Sequence, residues 1–153
     1  MITFQVEPWE TFYRDWTPAI RDAHWHELAM DQERIPLAID VAKYEQMDAT
    51  GMLHIVTGRD GGQLIGYFMA FVFPHLHYCK SGLMSFVDVY YMRPMYRTGS
   101  LGLSLFLAAE STLKARGVTK MYGSCKAHQD HTKLFTAMGW KLTDLCFTKW
   151  IGG

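Results

Sequence analysis

The chain of 153 residues contains few cysteines, has no surplus of either charge and lacks a long apolar run. Its three cysteines are an odd number without paired spacing, which argues against a disulfide framework and favours a reducing, cytoplasmic setting. The fifteen basic and fifteen acidic residues cancel, so a protein that coats nucleic acid is not expected. No apolar run approaches the roughly 18 residues that span a bilayer. Glu7 and Glu10 stand where a secretory signal would need its apolar core. We therefore expect a cytoplasmic protein with no membrane partner.

The composition that remains is that of a globular protein. Hydrophobic residues make up 49% of the chain and charged residues 20%, which excludes a disordered polypeptide. A chain of this length can bury a substantial core as one unit. Because no repeat, low-complexity tract or linker interrupts it, we expect a single domain over residues 1–153.

The stretch 86–110 is the most informative part of the sequence. Its β-branched and aromatic residues predict a buried strand that Pro94 ends, because proline has no N–H to offer a ladder. A turn over 97–102 then contains one arginine and two glycines, and an apolar helix is predicted over 101–116. The first N–H groups of a helix have no partner within it, so this order of elements favours phosphate binding. The motifs of ATPases and dinucleotide enzymes are absent, and an ordinary strand–helix connection is the alternative.

The hydrophobic pattern of the remaining chain predicts further strands and helices. The aromatic stripe of the first helix fits a core face better than a ligand site, and Pro18 should split or kink that helix. The predicted strands cover 2–6, 52–57, 63–74, 83–92, 118–124 and 140–150, and the predicted helices cover 8–29, 40–48, 101–116 and 130–138. This order is typical of a mixed α/β fold.

Two motifs resemble the GNAT N-acetyltransferase superfamily. Residues 94–102, Pro-Met-Tyr-Arg-Thr-Gly-Ser-Leu-Gly, are similar to its motif A, although Ser100 replaces the first glycine of the Arg/Gln-x-x-Gly-x-Gly/Ala pattern. Residues 134–140, Leu-Phe-Thr-Ala-Met-Gly-Trp, resemble its Phe-Tyr-x-x-Leu-Gly-Phe ending. The order of elements matches the family through almost the entire chain, which is similar to small bacterial or phage-encoded members. The resemblance implies a GNAT-like fold with a mixed, mostly antiparallel central sheet flanked by helices.

The resemblance also implies acetyl-CoA (coenzyme A) as the cofactor. In the family the motif A turn wraps the pyrophosphate of coenzyme A, and the backbone donor to the oxyanion lies at the end of the central strand. A family asparagine that contacts the cofactor falls on a histidine in this sequence. The implied cofactor-binding residues are Met92, Arg97, Thr98, Gly99, Ser100, Leu101, Gly102 and His128.

Asp88 is the candidate catalytic base. A carboxylate within an otherwise apolar strand is unexpected, and burial would raise its pKa toward the range that a base needs. Many GNAT enzymes carry a glutamate here, so the resemblance implies that Asp88 deprotonates a primary amine. That amine then takes the acetyl group directly in a ternary complex, and a backbone N–H near Met92 is implied as the donor to the developing oxyanion. A carboxylate satisfied by a neighbouring backbone or arginine group is the alternative.

The proton donor to the leaving thiolate stays open. The tyrosine that the family often uses falls on Phe135, which cannot donate a proton. Water, Tyr90 and Tyr122 are the alternatives, and Tyr122 completes the predicted catalytic set with Asp88 and Met92.

Six of the seven histidines form three close pairs, but no Cys-x-x-Cys accompanies them, so no metal site is expected. The loop over 74–80 joins two central strands. In GNAT folds this region borders the acceptor site, so the resemblance implies His75, His77 and Tyr78 as acceptor-binding residues. An ordinary surface loop is the alternative.

Two other functions remain open at this point. A non-catalytic GNAT-like module that binds coenzyme A or a protein is consistent with Ser100 and Phe135. A protein that modifies or binds nucleic acid would use the scattered cations, although a solvated surface explains them as well; these are Lys114, Arg116, Lys120, Lys126 and Lys133. The apolar stretch 142–150 could serve a homodimer, and a core strand explains it equally well.

Overall fold

The computed structural model describes residues 1–77 and 79–152, with the side chain of Cys79 excepted. Its strands and helices are β1 Ile2–Val6, α1 Trp9–Asp15, α2 Pro18–Leu28, α3 Val41–Ala49, β2 Leu53–Asp60, β3 Gln63–Pro74, β4 Leu83–Met92, α4 Leu101–Ala115, β5 Val118–Tyr122 and α5 Thr132–Ala137. Short 3-10 turns lie at Cys79–Ser81 and Pro94–Tyr96. Among the described residues, no helix has the length and apolar character that crossing a membrane requires.

The strands form a five-stranded sheet in the order β1-β2-β3-β4-β5. Neighbouring strands are antiparallel except β4 and β5, which are parallel. Parallel neighbours need a crossover connection, and α4 provides it. The predicted mixed, mostly antiparallel sheet with flanking helices is confirmed.

Helices cover both faces of the sheet. On one face Phe106 of α4 packs edge-on against Phe68 of β3, with ring centroids 5.4 Å apart. On the other face Phe12 of α1 packs against Tyr67 of β3 at 5.2 Å. Because β3 sends alternate side chains into two cores, it is apolar almost throughout instead of alternating with polar residues.

Pro18 divides the predicted N-terminal helix into two helices, as expected. Helix α1 ends at Asp15, and Pro18 is the first residue of α2 after its N-cap residue Thr17. Proline is tolerated there because the N–H of a first helical residue has no helical partner. The prediction that the aromatic stripe packs into the core is also confirmed, the buried residues of the stripe being Trp9, Phe12 and Trp16.

The predicted strand over 140–150 is wrong. Residues 140–152 form neither a helix nor a strand in the structure, and Phe147 exposes 87% of its surface. Strand β5 ends at Tyr122 and pairs only with β4 among the described residues, so it offers this segment no ladder. Apolar and β-branched residues favour a strand only when a neighbouring strand completes the ladder, and none does so here.

A buried ion pair holds the N-terminal elements on the sheet. Arg59 of β2 donates to the two carboxylate oxygens of Glu7 at 2.6 and 2.7 Å, and it lies 2.9 Å from Asp15 of α1. Burial opposes the charge of Glu7, but hydrogen bonds from Arg59 and Gln5 outweigh it, so the pKa of Glu7 is lowered. Removing one partner would leave a buried charge uncompensated, which is strongly destabilising.

Two buried histidines are neutral in the folded protein. The Nε2 atom of His54, on β2, lies 2.9 Å from the Thr112 hydroxyl, and Arg116 donates to its Nδ1 at 3.0 Å. Burial, and secondly the charge of Arg116, lower the pKa of His54 to about 4. Burial also lowers the pKa of His24, on α2, to about 4.

We expect acid to destabilise the fold through these histidines. The unfolded chain takes up a proton at His54 near pH 6.5, whereas the folded chain does so only near pH 4. Stability is therefore complete above pH 6.5 and decreases as the pH falls toward 4. His54 alone should account for a loss of about 3 kcal/mol in the free energy of unfolding. Urea unfolding between about pH 7 and 4.5 measures this loss.

The variant His54→Gln tests the assignment. It should be less stable than the parent at neutral pH but should lose less stability on acidification. His26→Gln, at an exposed position of α2, is the matched control and should keep the acid response of the parent. A parent-sized loss in His54→Gln would show that His54 is not the responsible group.

Candidate active site

A gap between β4 and β5 creates the candidate site. The two strands pair from Leu83–Val118 to Phe86–Tyr122, and beyond that point β4 has no ladder partner on this side among the described residues. The backbone of β4 over 87–92 therefore borders open space. Unpaired strand edges present N–H and C=O groups that a ligand can use.

Two cavities lie along this gap. The first, which we call the aromatic cavity, has a volume of about 340 Å³, and its walls include Trp16, Trp25 and Tyr44. The second, which we call the turn cavity, has a volume of about 280 Å³ and is bordered by Arg97 and Gly102. Each is of the size of a small-molecule site or slightly below it.

Asp88 lies at a β-bulge that directs it into the aromatic cavity. Met69 of β3 is opposite Val89, and the next residue, Ala70, is opposite Val87, so Asp88 is the extra residue of β4. A bulge bends a strand and re-aims a side chain, which is why bulges occur beside active sites. Here it brings the consecutive residues Asp88, Val89 and Tyr90 to the wall of one cavity.

The surroundings of Asp88 suit a base. Its side chain is exposed to the water in the cavity. The surrounding walls nevertheless displace part of that water, and this desolvation raises the pKa of Asp88. The Tyr44 hydroxyl donates to Oδ2 at 3.2 Å, which opposes part of that rise. The ring of Tyr44 stacks on Trp9 with centroids 4.5 Å apart, so its hydroxyl is held in place.

The N terminus of α4 forms the floor of the turn cavity. The first helical hydrogen bond runs from Ser104 N–H to Ser100 C=O at 2.8 Å, and no side chain caps this end among the described residues. The N–H groups over 101–103 are therefore without a helical partner. Gly99 has φ +65°, and a Cβ added to Gly102 would meet no atom within 4 Å. The turn can accept an anion close to its backbone.

Arg97 joins three parts of the site. Its Nε donates to the Met92 carbonyl at 2.7 Å, and its two terminal nitrogens donate to the Glu27 carboxylate at 2.6 Å each. Gln129 also donates to Glu27, at 2.9 Å, and His128 Nε2 lies 3.3 Å from the Glu27 carbonyl. Hydrogen bonds from Arg97, and secondly from Gln129, outweigh partial burial and lower the pKa of Glu27 below its ordinary range. Helix α2, the motif turn and the loop before α5 thus meet at one carboxylate.

The two cavities meet at Tyr90. Its side chain lines both of them, and so does that of His131. The Tyr90 hydroxyl donates to the Ser124 carbonyl at 3.2 Å and lies 3.0 Å from His131 Nδ1. Burial raises the pKa of Tyr90, so the hydroxyl keeps its proton at neutral pH. Phe135 packs edge-on against this ring at 6.2 Å.

The structure brings part of the predicted site together. The predicted residues that line one of the two cavities are Asp88, Met92, Arg97, Gly99 and Gly102. Thr98, Ser100 and Leu101 belong to the same turn and helix end without lining the cavity, and His128 lies beside Glu27. These cofactor assignments stay predictions.

Other predicted residues lie apart from this group. The Tyr122 ring stacks on Phe86 with centroids 4.5 Å apart and lines neither cavity. His75 and His77 also line neither cavity, and Tyr78 lies outside the described residues. Across the described chain, no group of three or more His, Cys, Asp or Glu side chains could hold a metal ion.

Several site residues were missed by the sequence analysis. Tyr44 reaches Asp88 from a helix 44 residues earlier in the chain, and Glu27 reaches Arg97 across 70 residues. No local spacing signals such contacts. His131 stands just before the last helix and three residues after the predicted cofactor residue His128, and this position is the signal in the sequence that could have found it.

Comparisons with known proteins identify the family of the chain. The model of the Acetyltransferase (GNAT) family matches residues 7–140, which confirms the resemblance seen in the sequence. No curated protein sequence matches the chain at a significant level.

Solved structures share the fold over nearly their full lengths. A GCN5-related N-acetyltransferase from Ralstonia eutropha has 17% identity and a TM-score of 0.78, over 99% of this chain and 100% of that one. A protein described as a predicted acetyltransferase with acetyl-CoA, from Clostridium acetobutylicum, has 14% identity and a TM-score of 0.72, over 99% and 97%. An aminoglycoside acetyltransferase from an uncultured soil metagenomic sample, in complex with sisomicin, has 8% identity and a TM-score of 0.74, over 99% and 97%.

Proposed function

Because the chain belongs to the acetyltransferase (GNAT) family, we propose that it is an acetyl-CoA-dependent N-acyltransferase that transfers an acetyl group directly to a primary amine. The observation that carries this proposal is the meeting of two different cavities at Tyr90. One of them contains a carboxylate with a raised pKa, and the other is bordered by an uncapped helix N terminus. The first suits an amine, and the second suits the phosphates of the acyl carrier.

The turn cavity provides the groups that coenzyme A needs. The N–H groups over 101–103 and the dipole of α4 suit its diphosphate, and Gly102 leaves room for it. Arg97 lies beside this space as a cation whose present partner is Glu27. When bound, acetyl-CoA supplies the acetyl group as a thioester, whose C–S bond breaks as the bond to the amine nitrogen forms.

Residues of the protein accept and donate the protons of the reaction. Asp88 takes the first proton from the ammonium group and releases it to solvent. Tyr90, at the junction of the cavities, gives a proton to the leaving sulfur, and the second proton of the nitrogen restores Tyr90. The backbone N–H of Met92, at the end of β4, is the proposed donor to the carbonyl oxygen as negative charge grows there.

The aromatic cavity does not favour a polycationic acceptor. The structural neighbour bound to sisomicin shows that a protein of this fold can bind an aminoglycoside. In this chain, however, Asp88 is the one carboxylate among the described residues that line the cavity, and it shares the wall with Arg21 and Lys126.

Calorimetry with acetyl-CoA and CoA tests the proposal. We expect micromolar binding, and we expect Gly102→Trp to abolish it, because the new side chain would occupy the open space beside the turn. Leu107→Trp, at a half-exposed position of the same helix, is the matched control and should bind normally. No binding at millimolar cofactor would overturn the proposal, and binding without acetyl transfer to any amine would point to a non-catalytic coenzyme A-binding module.

A pH profile of kcat/KM tests Asp88 as the base. Because Asp88 must be ionised, activity should rise with pH through its raised pKa. Tyr44→Phe removes a hydrogen bond that favours the ionised form, so the rise should move to higher pH. Asp88→Asn should lower kcat by about 10²–10⁴-fold and should remove the rise, with acetyl-CoA binding retained. Asp22→Asn, at an exposed position of α2, is the control, and a parent-like profile in Asp88→Asn would exclude the role.

Two tyrosine variants test the proton donor. Tyr90→Phe should lower kcat by at least about tenfold with little change in acetyl-CoA affinity, because only the hydroxyl is lost. Tyr122→Phe should leave kcat near the parent value, since Tyr122 lies on Phe86 away from both cavities. The reverse outcome would assign the donor to Tyr122, and parent-like rates in both variants would assign it to water.

A further inference from the structure

The aromatic cavity has an unusual balance of charge for a site that receives an amine. Arg21 and Lys126 line it together with Asp88, the single carboxylate among its described wall residues. His24 also lines it and is neutral near pH 7, because burial lowers its pKa to about 4. An ammonium group alone would therefore meet two cations and one anion.

Arg21 is held at the wall without a carboxylate partner. Its guanidinium lies 5.4 Å from the ring centroid of Tyr13 and 5.7 Å from that of Trp16, and it donates to the Tyr13 hydroxyl at 3.3 Å. Across the described residues it forms no ion pair, whereas Arg59 and Arg97 are each paired with a glutamate. Aromatic faces position a guanidinium without neutralising it, so its charge and most of its N–H donors remain for a ligand.

Much of the rest of the wall is apolar, beside polar residues that include Ser124, Gln129 and His131. Trp25 and Leu28 of α2 line one part of the wall, and Leu37 and Ile39 line another from the segment that connects α2 to α3. Met69 adds a further apolar side chain from β3. A ligand that fills this space must carry an aliphatic or aromatic body, because polar groups there would lose their hydrogen bonds to water.

We propose that the acceptor is a free amino acid with an apolar or aromatic side chain. This inference rests on the proposed function. Asp88 receives the ammonium group, Arg21 binds the carboxylate with Lys126 as a second cation, and the side chain occupies the aromatic and aliphatic walls. A polyamine would be repelled by the two cations, and a peptide N terminus would lack the carboxylate next to its amine.

The reaction is balanced without any further reactant. The amino nitrogen gains a bond to the acetyl carbon, and the bond from that carbon to sulfur breaks. The ammonium group loses two protons, of which one reaches solvent through Asp88 and the other replaces the proton that Tyr90 gives to sulfur. The products are an N-acetyl amino acid and the free thiol of coenzyme A.

Release of the free thiol should be measured with acetyl-CoA and four amines. L-phenylalanine and L-leucine have both required features, phenethylamine has the same aromatic body as phenylalanine without the carboxylate, and spermidine is a polycation. Hydrogen bonds to a charged group correspond to about a tenfold to a hundredfold difference. We therefore expect kcat/KM for phenylalanine to exceed that for phenethylamine by at least about tenfold, with spermidine near background.

Charge-removal variants connect the preference to the cavity. Arg21→Gln, or the double variant with Lys126→Gln, should bring phenylalanine and phenethylamine close to the same kcat/KM while acetyl-CoA binding stays unchanged. Arg34→Gln, at an exposed position between α2 and α3, is the matched control and should keep the preference of the parent. Because each variant is compared with itself on two amines, a general loss of stability cannot imitate the result.

The outcomes separate this inference from the proposed function. If acetyl-CoA fails to bind, the proposed function itself is wrong. If acetyl-CoA binds and phenethylamine or spermidine is acetylated as well as phenylalanine and leucine, the acceptor class is wrong and the enzyme assignment stands. A preference for phenylalanine that survives removal of both cations, or no acetylation of either amino acid, also overturns the acceptor class.

Discussion

The site depends on the separation of β4 from β5 after the Phe86–Tyr122 pair. Two parallel strands that stayed paired would have satisfied the edge of β4 and closed the space between them. Once they part, the second half of β4 pairs, within the described part of the chain, with β3 alone, and both cavities open beside it. The bulge at Asp88 lies in this half of β4, which faces β3 on one side and the cavities on the other. The change of register therefore disturbs the hydrogen bonds to one neighbouring strand and not to two.

The separation also explains the electrostatics of the site. The side chains of Asp88 and Tyr90 line the aromatic cavity, where neighbouring groups displace part of the water around them. Both Asp88 and Tyr90 therefore have raised pKa values, for the same reason of desolvation and with opposite consequences. The carboxyl group becomes a stronger base, and the hydroxyl group keeps its proton. Desolvation thus raises the pKa values of a base and a proton donor that lie two residues apart on one strand, and no additional charged neighbour is needed to shift them.

Most of the fold was predictable because hydrophobic periodicity and turn residues are local signals. The predicted strand 83–92 has the bounds of β4, and the split at Pro18 follows from the chemistry of proline. The turn beside Gly102 was predictable from its motif. The bulge was not, because register depends on the partner strand, and the contact of Tyr44 with Asp88 depends on how α3 packs. The prediction of a strand over 140–150 failed for a related reason. Its residues have strand propensity, but a strand forms only beside a neighbouring strand, which the local sequence does not specify.

Helix α2 couples the two cavities, because its residues form part of both walls. Arg21 and His24 face the aromatic cavity, Glu27 pairs with Arg97 beside the turn cavity, and Leu28 lines both. An anion that binds at the turn would compete with Glu27 for Arg97, and Glu27 lies on the same helix as Arg21. Ligand binding at one cavity should therefore change affinity at the other, and thermodynamic linkage requires that the effect be mutual.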